Sequence, residues 1–235
     1  MNAGHYKMKK GFTLSEVLVT LGILSVIALL TIPAVLKNYK HRVYISQLKK
    51  TYSQLTDATQ AIMNDEHSTN FYETSAAVPS DCSSDDIKHH KGACYFLTNY
   101  LKTIKVNCNV IKQSGDINEL CVPAEVKNGS VVLTQYKNLV NGNAGLLNGE
   151  YCVQTINGAA ICQNHNNGGF VTFNIDINGP LPPNETGRDV FFLKVENDGT
   201  IVDVGDTDAA AANCGNPESR GCLRRIMNNG WKMDY

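Results

Sequence analysis

The sequence predicts an α+β fold in which one long amino-terminal helix packs on a disulfide-rich domain with an antiparallel β-sheet. Three observations carry this prediction. Residues 12–36 are almost entirely apolar, and residues 37–64 continue with apolar side chains at helical spacing. All eight cysteines then follow, between Cys82 and Cys222. Late in the chain the apolar period changes to two, which is typical of half-buried strands.

The composition argues against two classes of protein. Lys and Arg total 21 and Asp and Glu total 22, a formal net charge of −1. A protein that binds nucleic acid by neutralising phosphates normally has a basic excess, so no nucleic-acid partner is expected. Hydrophobic residues make up 43% and charged residues 18%, which is too apolar and too weakly charged for a disordered chain.

Residues 12–36 predict a helix that spans a membrane, with Glu16 as the only ionisable side chain. At helical rise this run extends roughly 37 Å, whereas the hydrocarbon core of a bilayer is about 30 Å thick. A secretory signal peptide is the alternative, because Lys7, Lys9 and Lys10 precede the run. It fits poorly, since its apolar region would be only about 7–15 residues and would end in small residues.

Residues 37–64 predict an amphipathic continuation of the same helix, to about Asn64. Its apolar stripe starts just before this segment and consists of Leu36, Tyr39, Val43, Leu48, Tyr52, Leu55, Thr59 and Ile62. This stripe is expected to cover one face of the sheet. Pro33 removes a backbone hydrogen bond inside the helix, which predicts a kink or a locally melted turn near residues 29–33.

The start of the helix resembles a known processing signal. The resemblance rests on the run Lys9-Lys10-Gly11-Phe12-Thr13-Leu14-Ser15-Glu16 followed by a long apolar helix. It is similar to the type IV prepilin signal, which type IV pilins share with the pseudopilins of type II secretion. It implies that prepilin peptidase removes residues 1–11 by cutting after Gly11, and that the new amino terminus at Phe12 is methylated. Pro33 matches the helix-bending proline of many pilins.

Glu16 is expected to act in assembly. An acid within a membrane-spanning helix is unfavourable unless it is paired or reaches the interface, and the second possibility is the simpler alternative. The resemblance implies that Glu16, as the fifth residue of the mature chain, pairs with the positive amino terminus of Phe12 on a neighbouring subunit. The expected partners are therefore prepilin peptidase, the membrane and other pilin or pseudopilin subunits in a helical filament.

The cysteines indicate the compartment. Lysines precede and follow the apolar run, so the positive-inside rule gives no orientation. A disulfide framework persists only in oxidising compartments, which places the carboxyl-terminal region outside the cytoplasm. A structural zinc site is the alternative, but no Cys-x-x-Cys pair occurs and His89-His90 is the only nearby histidine pair. We expect a single-pass protein of the bacterial cytoplasmic membrane that later enters a pilus or pseudopilus.

Residues 65–235 are expected to form the globular domain. A short helix is predicted where Tyr95-Phe96-Leu97, Tyr100-Leu101 and Ile104 recur at helical spacing. Alternation from Val171 to Ile177 predicts a strand. A hairpin is predicted around Asn197-Asp198-Gly199.

A second predicted hairpin, from Tyr151 to Cys162, bears on the disulfide pairing. A two-residue loop would place Cys152 opposite Gln163. A three-residue loop that ends in Gly158 as a bulge glycine would place Cys152 opposite Cys162, and this register is favoured. This register predicts the Cys152–Cys162 bridge. Cys214–Cys222 is a second candidate, since it would close a short loop that contains Gly215, Pro217 and Gly221, and Cys108–Cys121 is a third.

The segment Asp176–Asp189 concentrates side-chain oxygens between two strands and could hold Ca²⁺, which takes six to eight oxygen ligands. The predicted ligands are Asp176, Asn178, Asn184 and Asp189. An EF-hand is excluded because Leu181 and Gly187 stand where that loop needs glycine and glutamate. The alternative is a proline-stiffened turn. The resemblance supports calcium, because major pseudopilins carry such a site in their carboxyl-terminal loops. A further acidic cluster consists of Asp203, Asp206 and Asp208.

The expected function is that of a structural subunit of a type IV pilus-like filament or a type II secretion pseudopilus, without catalysis. The first alternative is a minor pilin for adhesion or DNA uptake. A membrane-tethered extracytoplasmic enzyme is the second, but the sequence has no Gly-x-Ser-x-Gly, His-Glu-x-x-His or phosphate-loop motif. Apart from Ca²⁺, no cofactor is expected.

The processing prediction is tested by the intact mass of the protein purified from its native membrane. The mature chain should lack residues 1–11 and carry one methyl group on Phe12. A native chain that keeps its basic leader would contradict the predicted signal.

Overall fold

A computed structural model of the protein describes residues 11–83, 90–112, 115–140, 142–165, 169–214 and 220–235. The basic leader at residues 1–10 and His89 lie outside these ranges. The chain divides into two compact units, one ending at Lys40 and the other formed by His41–Tyr235.

The helix α1 (Leu14–Asp65) has 52 residues and belongs to both units. In the first unit its large apolar side chains are exposed. By length and composition this helix can cross a membrane, with a mean hydropathy of 2.5 over its most apolar window. Of the kink or locally melted turn expected near residues 29–33, the melted turn is absent, because the helical backbone continues through Pro33. A proline removes a single amide donor, and the turns on both sides keep theirs.

In the second unit, α1 is amphipathic as predicted. Leu48, Leu55 and Ile62 are fully buried, and they recur every seven residues along one face. Leu36 and Tyr39 were expected on the same stripe, but both are exposed and precede this unit. The buried stripe is therefore confined to the part of the helix that has a sheet to cover.

The remaining elements are short. The helices are α2 (Gly92–Asn99), α3 (Asp208–Ala212) and α4 (Cys222–Asn228). The strands are β1 (Thr103–Val106), β2 (Ala124–Lys127), β3 (Ser130–Leu133), β4 (Tyr136–Lys137), β5 (Asn143–Gly145), β6 (Tyr151–Thr155), β7 (Ala160–His165), β8 (Val171–Asp176), β9 (Val190–Val195) and β10 (Ile201–Asp203). One antiparallel sheet has the order β1-β6-β7-β8-β9-β10, while β2–β3 and β4–β5 form two separate hairpins.

The main core lies between the inner face of the sheet and the helices α1 and α2. Aromatic rings fill it, and the ring centroids of Phe96 on α2 and Phe173 on β8 are 5.8 Å apart. The predicted short helix ends at Asn99, so its extension to Ile104 is wrong. Ile104 lies on the edge strand β1 and is exposed. Its spacing from Tyr100 and Leu101 fits a helix, but the helix ends before Tyr100.

A second, smaller core covers part of the outer face of the sheet. The segment between β1 and β6 contributes residues to this core, including Cys108, Tyr136 and Leu147. They pack against Cys152 and Cys162 on β6 and β7.

The structure contains four disulfides and no free cysteine. The β6–β7 hairpin has the register of the three-residue loop, since Cys152 pairs with Cys162 and Gly158 has a φ of +92°. The four bridges are Cys82–Cys94, Cys108–Cys121, Cys152–Cys162 and Cys214–Cys222. The first of these was not expected from the sequence.

Peptide mass spectrometry of the non-reduced protein tests this pairing. We expect four linked peptide pairs that match the four bridges. The Cys152–Cys162 pair is the decisive one, because the strand register places these two residues opposite each other. A peptide that joined Cys152 to any other cysteine would overturn the register. Replacing both Cys152 and Cys162 by alanine should lower the free energy of unfolding by about 2–4 kcal/mol.

Candidate functional site

The amino-terminal end of α1 is closed by a reciprocal pair of hydrogen bonds. The backbone N–H and the hydroxyl of Thr13 both donate to Glu16 Oε2, each at 2.8 Å. The Glu16 backbone N–H donates to Thr13 Oγ1 at 3.3 Å. This is the capping-box arrangement, in which a Thr before the helix and a Glu three residues later satisfy each other's backbone donors.

The capping box gives Glu16 a partner within its own chain. Thr13 was quoted in the processing signal but not assigned a role, although the spacing Thr-x-x-Glu is readable in the sequence. The negative carboxylate also lies at the positive end of the helix dipole, where it is favoured. The Glu16 carboxylate is thus held in one position at the start of the helix by residues of its own chain.

Gly11 and Phe12 precede the helix in non-helical backbone. The Phe12 side chain is exposed, and no heavy atom lies within 4 Å of the position a Gly11 Cβ would take. The peptide bond predicted to be cleaved is therefore not covered by any described part of the chain.

A second site lies in the segment between β8 and β9, where Asp176 and Asp189 are fully buried. Backbone N–H groups approach both carboxylates. Asp176 Oδ1 accepts from Asn178 at 3.2 Å. Asp189 accepts from Asn184 at 2.8 Å and from Glu185 at 2.6 Å, so its carboxylate folds the segment back on itself.

These two acids are electrostatically unfavourable as a charged pair. Burial raises the pKa of the Asp176 carboxyl well above its usual range, and the neighbouring charge of Asp189 raises it further. Burial likewise raises the pKa of Asp189, to about 6, against the effect of its backbone hydrogen bonds. A cation between the carboxylates, or a proton on one of them, would relieve this.

Oxygen atoms converge beside Asp176. One end of the Asn184 side-chain amide lies 3.1 Å from Asp176 Oδ2 and 3.2 Å from the carbonyl oxygen of Leu181. With its nitrogen at this end, the amide donates to both oxygens. With its oxygen there, three oxygens face one another, as they do around a cation. Asn178 Oδ1 is also buried and accepts no hydrogen bond from the described residues.

The donor set suits Ca²⁺ better than a transition metal. Among the described residues, no group of three or more His, Cys, Asp or Glu side chains could hold a metal ion. The segment instead offers one converging carboxylate with amide and carbonyl oxygens, which are the ligands of hard cations. Of the four predicted ligands, Asp176, Asn178 and Asn184 have oxygens that could turn toward a cation, whereas both Asp189 oxygens already accept backbone hydrogen bonds.

The acidic residues Asp203, Asp206 and Asp208 form ion pairs and hydrogen bonds with other residues of the same chain. Asp206 and Asp208 form ion pairs with Arg224, at 2.5 and 3.0 Å. Asp203 is buried and accepts the backbone N–H groups of Leu223 and Arg224, and burial raises its pKa to about 6. These residues fasten α4 to the sheet.

Comparison with known proteins identifies the helix start. The family model described as the Prokaryotic N-terminal methylation motif matches residues 6–32, which is the prepilin-type signal of type IV pilins and pseudopilins. No curated protein and no solved structure gives a significant match to the chain.

Proposed function

We propose that this chain is a structural subunit of a type IV pilus-like filament or a type II secretion pseudopilus. The observation that carries the proposal is the prepilin-type signal at residues 6–32, directly followed by an apolar helix that can cross a membrane. The signal makes the chain pilin- or pseudopilin-like and a substrate of prepilin peptidase. It points to a structural class of protein rather than to an enzyme.

The exposed apolar part of α1 is the proposed assembly surface. Its leucines, isoleucines and valines have no protein partner in the described chain. Lipid tails solvate such side chains before assembly, and the same side chains can pack against neighbouring helices afterwards. The subunit would wait in the bacterial cytoplasmic membrane with residues 41–235 outside the cytoplasm, where their disulfides persist.

Glu16 would exchange partners during assembly. In the single chain its carboxylate accepts two hydrogen bonds from Thr13. Cleavage after Gly11 creates a positive amino terminus at Phe12, and methylation keeps that charge. In the filament, Glu16 of one subunit would pair with Phe12 of a neighbour in a medium of low dielectric constant. Because an unpaired charge there is strongly unfavourable, the pair would set the axial register.

Replacing Glu16 by leucine should abolish filament formation, because the neighbouring Phe12 ammonium would then be buried without a counter-ion. The measurement is the amount of filament sheared from cells, compared with the amount of processed subunit in the membrane fraction. Ser25→Ala is the control on the same helix, because among the described residues the Ser25 hydroxyl bonds only to the Gly22 carbonyl oxygen, and this variant should assemble normally. Normal filaments from Glu16→Leu would contradict the proposed pairing.

We also propose that the Asp176–Asp189 segment binds Ca²⁺. The observation that favours it is the complete burial of the carboxylates of Asp176 and Asp189, together with Asn178 Oδ1, a buried oxygen that accepts no hydrogen bond from the described residues. Asp176 and Asn184 would be ligands, Leu181 would add its carbonyl, and Asn178 lies within the same segment with a free oxygen. Asp189 would hold the segment in shape. On binding, the Asn184 amide would turn its oxygen toward the ion.

Thermal unfolding of the full chain in detergent, in EDTA and in excess Ca²⁺, tests this site. At 100 times the Kd, ligand binding should raise the melting temperature by roughly 5–10 °C. Asp176→Asn and Asn178→Ala should lose most of this rise, whereas Asp57→Asn, at an exposed aspartate on α1, should keep it. Equal melting temperatures in EDTA and Ca²⁺, together with no calorimetric heat, would exclude the site.

A further inference from the structure

The outer face of the sheet is covered only in part. The smaller core covers its Cys152–Cys162 side, and the described residues leave a trough open over β7, β8 and β9. Its floor follows from the strand register, which places Asn164 opposite Thr172 and Thr172 opposite Lys194. The outer trough is lined chiefly by Asn164, Phe170, Thr172, Asn174, Phe192 and Lys194.

Two cavities make up the outer trough, with volumes of about 370 and 550 Å³. They are continuous, because Phe170, Thr172 and Val204 line both. Each volume falls within the range of about 300–1,000 Å³ that is usual for small-molecule sites.

Two side-chain amides in the trough are held in place. Asn174 Nδ2 donates to the Asn148 carbonyl oxygen at 2.8 Å, and Asn164 Nδ2 donates to the same oxygen at 3.2 Å. Because the nitrogen and the oxygen of a side-chain amide lie in one rigid group, a fixed Nδ2 also fixes the direction in which Oδ1 points. No described residue donates to either Oδ1, so two oriented acceptors remain available to a ligand. Groups that are fixed before binding lose little entropy when they bind.

Aromatic rings lie beside these amides. Phe170 is 48% exposed, although it is a large apolar side chain in a concave surface. Phe192 is half-buried, and its ring centroid lies 5.6 Å from that of Tyr136. An exposed ring next to oriented polar groups is typical of a binding site that combines apolar contact with a few directed hydrogen bonds.

The trough has too few positive charges to hold an anionic polymer, which needs several. Lys194 Nζ is paired with Glu196 at 2.7 Å, which leaves no net charge at that end. Arg220 adds a single positive charge at the other end. Because the floor lies in the middle of a sheet, whose backbone groups pair with the neighbouring strands, an added peptide strand would find no free edge there.

We infer that the outer trough binds a neutral oligosaccharide. Sugar hydroxyls would donate to Asn164 Oδ1 and Asn174 Oδ1, and the apolar C–H face of a sugar ring would pack on Phe170. This inference is independent of the proposed filament assembly and of the calcium site. It would give the subunit an adhesive surface.

The full chain, purified in a detergent without a sugar head group, should be tested against immobilised neutral oligosaccharides ending in mannose, galactose or N-acetylglucosamine. We expect binding to at least one of them, and a loss of about tenfold in affinity for Phe170→Ala, as expected for one aromatic contact. Asn174→Ala should weaken the same binding. Val126→Ala, which shortens an exposed apolar side chain on β2, should leave it unchanged.

Melting temperatures of the variants, measured in parallel, separate lost contacts from lost folding. The inference is overturned if no neutral oligosaccharide binds. It is also overturned if Phe170→Ala folds and binds as well as Val126→Ala, or if only sulfated or sialylated chains are retained. A change in the size of the detergent-solubilised particle with Phe170→Ala, without sugar binding, would assign the trough to a contact between copies of this chain instead.

Discussion

The contact between the second half of α1 and the inner face of the sheet determines most of this structure. Leu48, Leu55 and Ile62 are fully buried there, and burial of such side chains stabilises a protein by about 1.5–3 kcal/mol each. Polar groups give the contact its register, since the hydroxyl of Thr59 donates to the Gly199 carbonyl at 2.8 Å. Without the helix, the apolar residues of β8 and β9 would face water. Folding of the domain and attachment of the stem are therefore the same event.

The first part of α1 has the opposite character, because nothing in the described chain covers it. Its side chains are as apolar as those of a core, but they are exposed. Such a surface is stable only in lipid or against other helices. Its single acid is satisfied locally by two hydrogen bonds from Thr13. The apolar side chains of the second half of the helix are thus buried by the chain itself, whereas those of the first half need lipid or other helices to cover them.

Local patterns in the sequence predicted local structure well. The amphipathic stripe, the β9–β10 hairpin and the register that pairs Cys152 with Cys162 each depend on neighbouring residues. The β2–β3 hairpin was not predicted, although Asn128-Gly129 at its turn is a strong hairpin signal. The outer trough was not predictable, since Asn148 belongs to a distant loop and meets Asn164 and Asn174 only in the folded sheet.

The four disulfides close loops of only 8 to 13 residues. Each therefore joins segments that are already close along the chain, and none links α1 to the sheet. In the proposed filament, tension would pull each subunit by its stem. That force would be carried from helix to domain by side-chain packing and a few hydrogen bonds, with no covalent cross-link in parallel. The force needed to separate helix from domain would then be set by the shear strength of the core. Reducing agents would leave this force largely unchanged as long as the sheet remained folded.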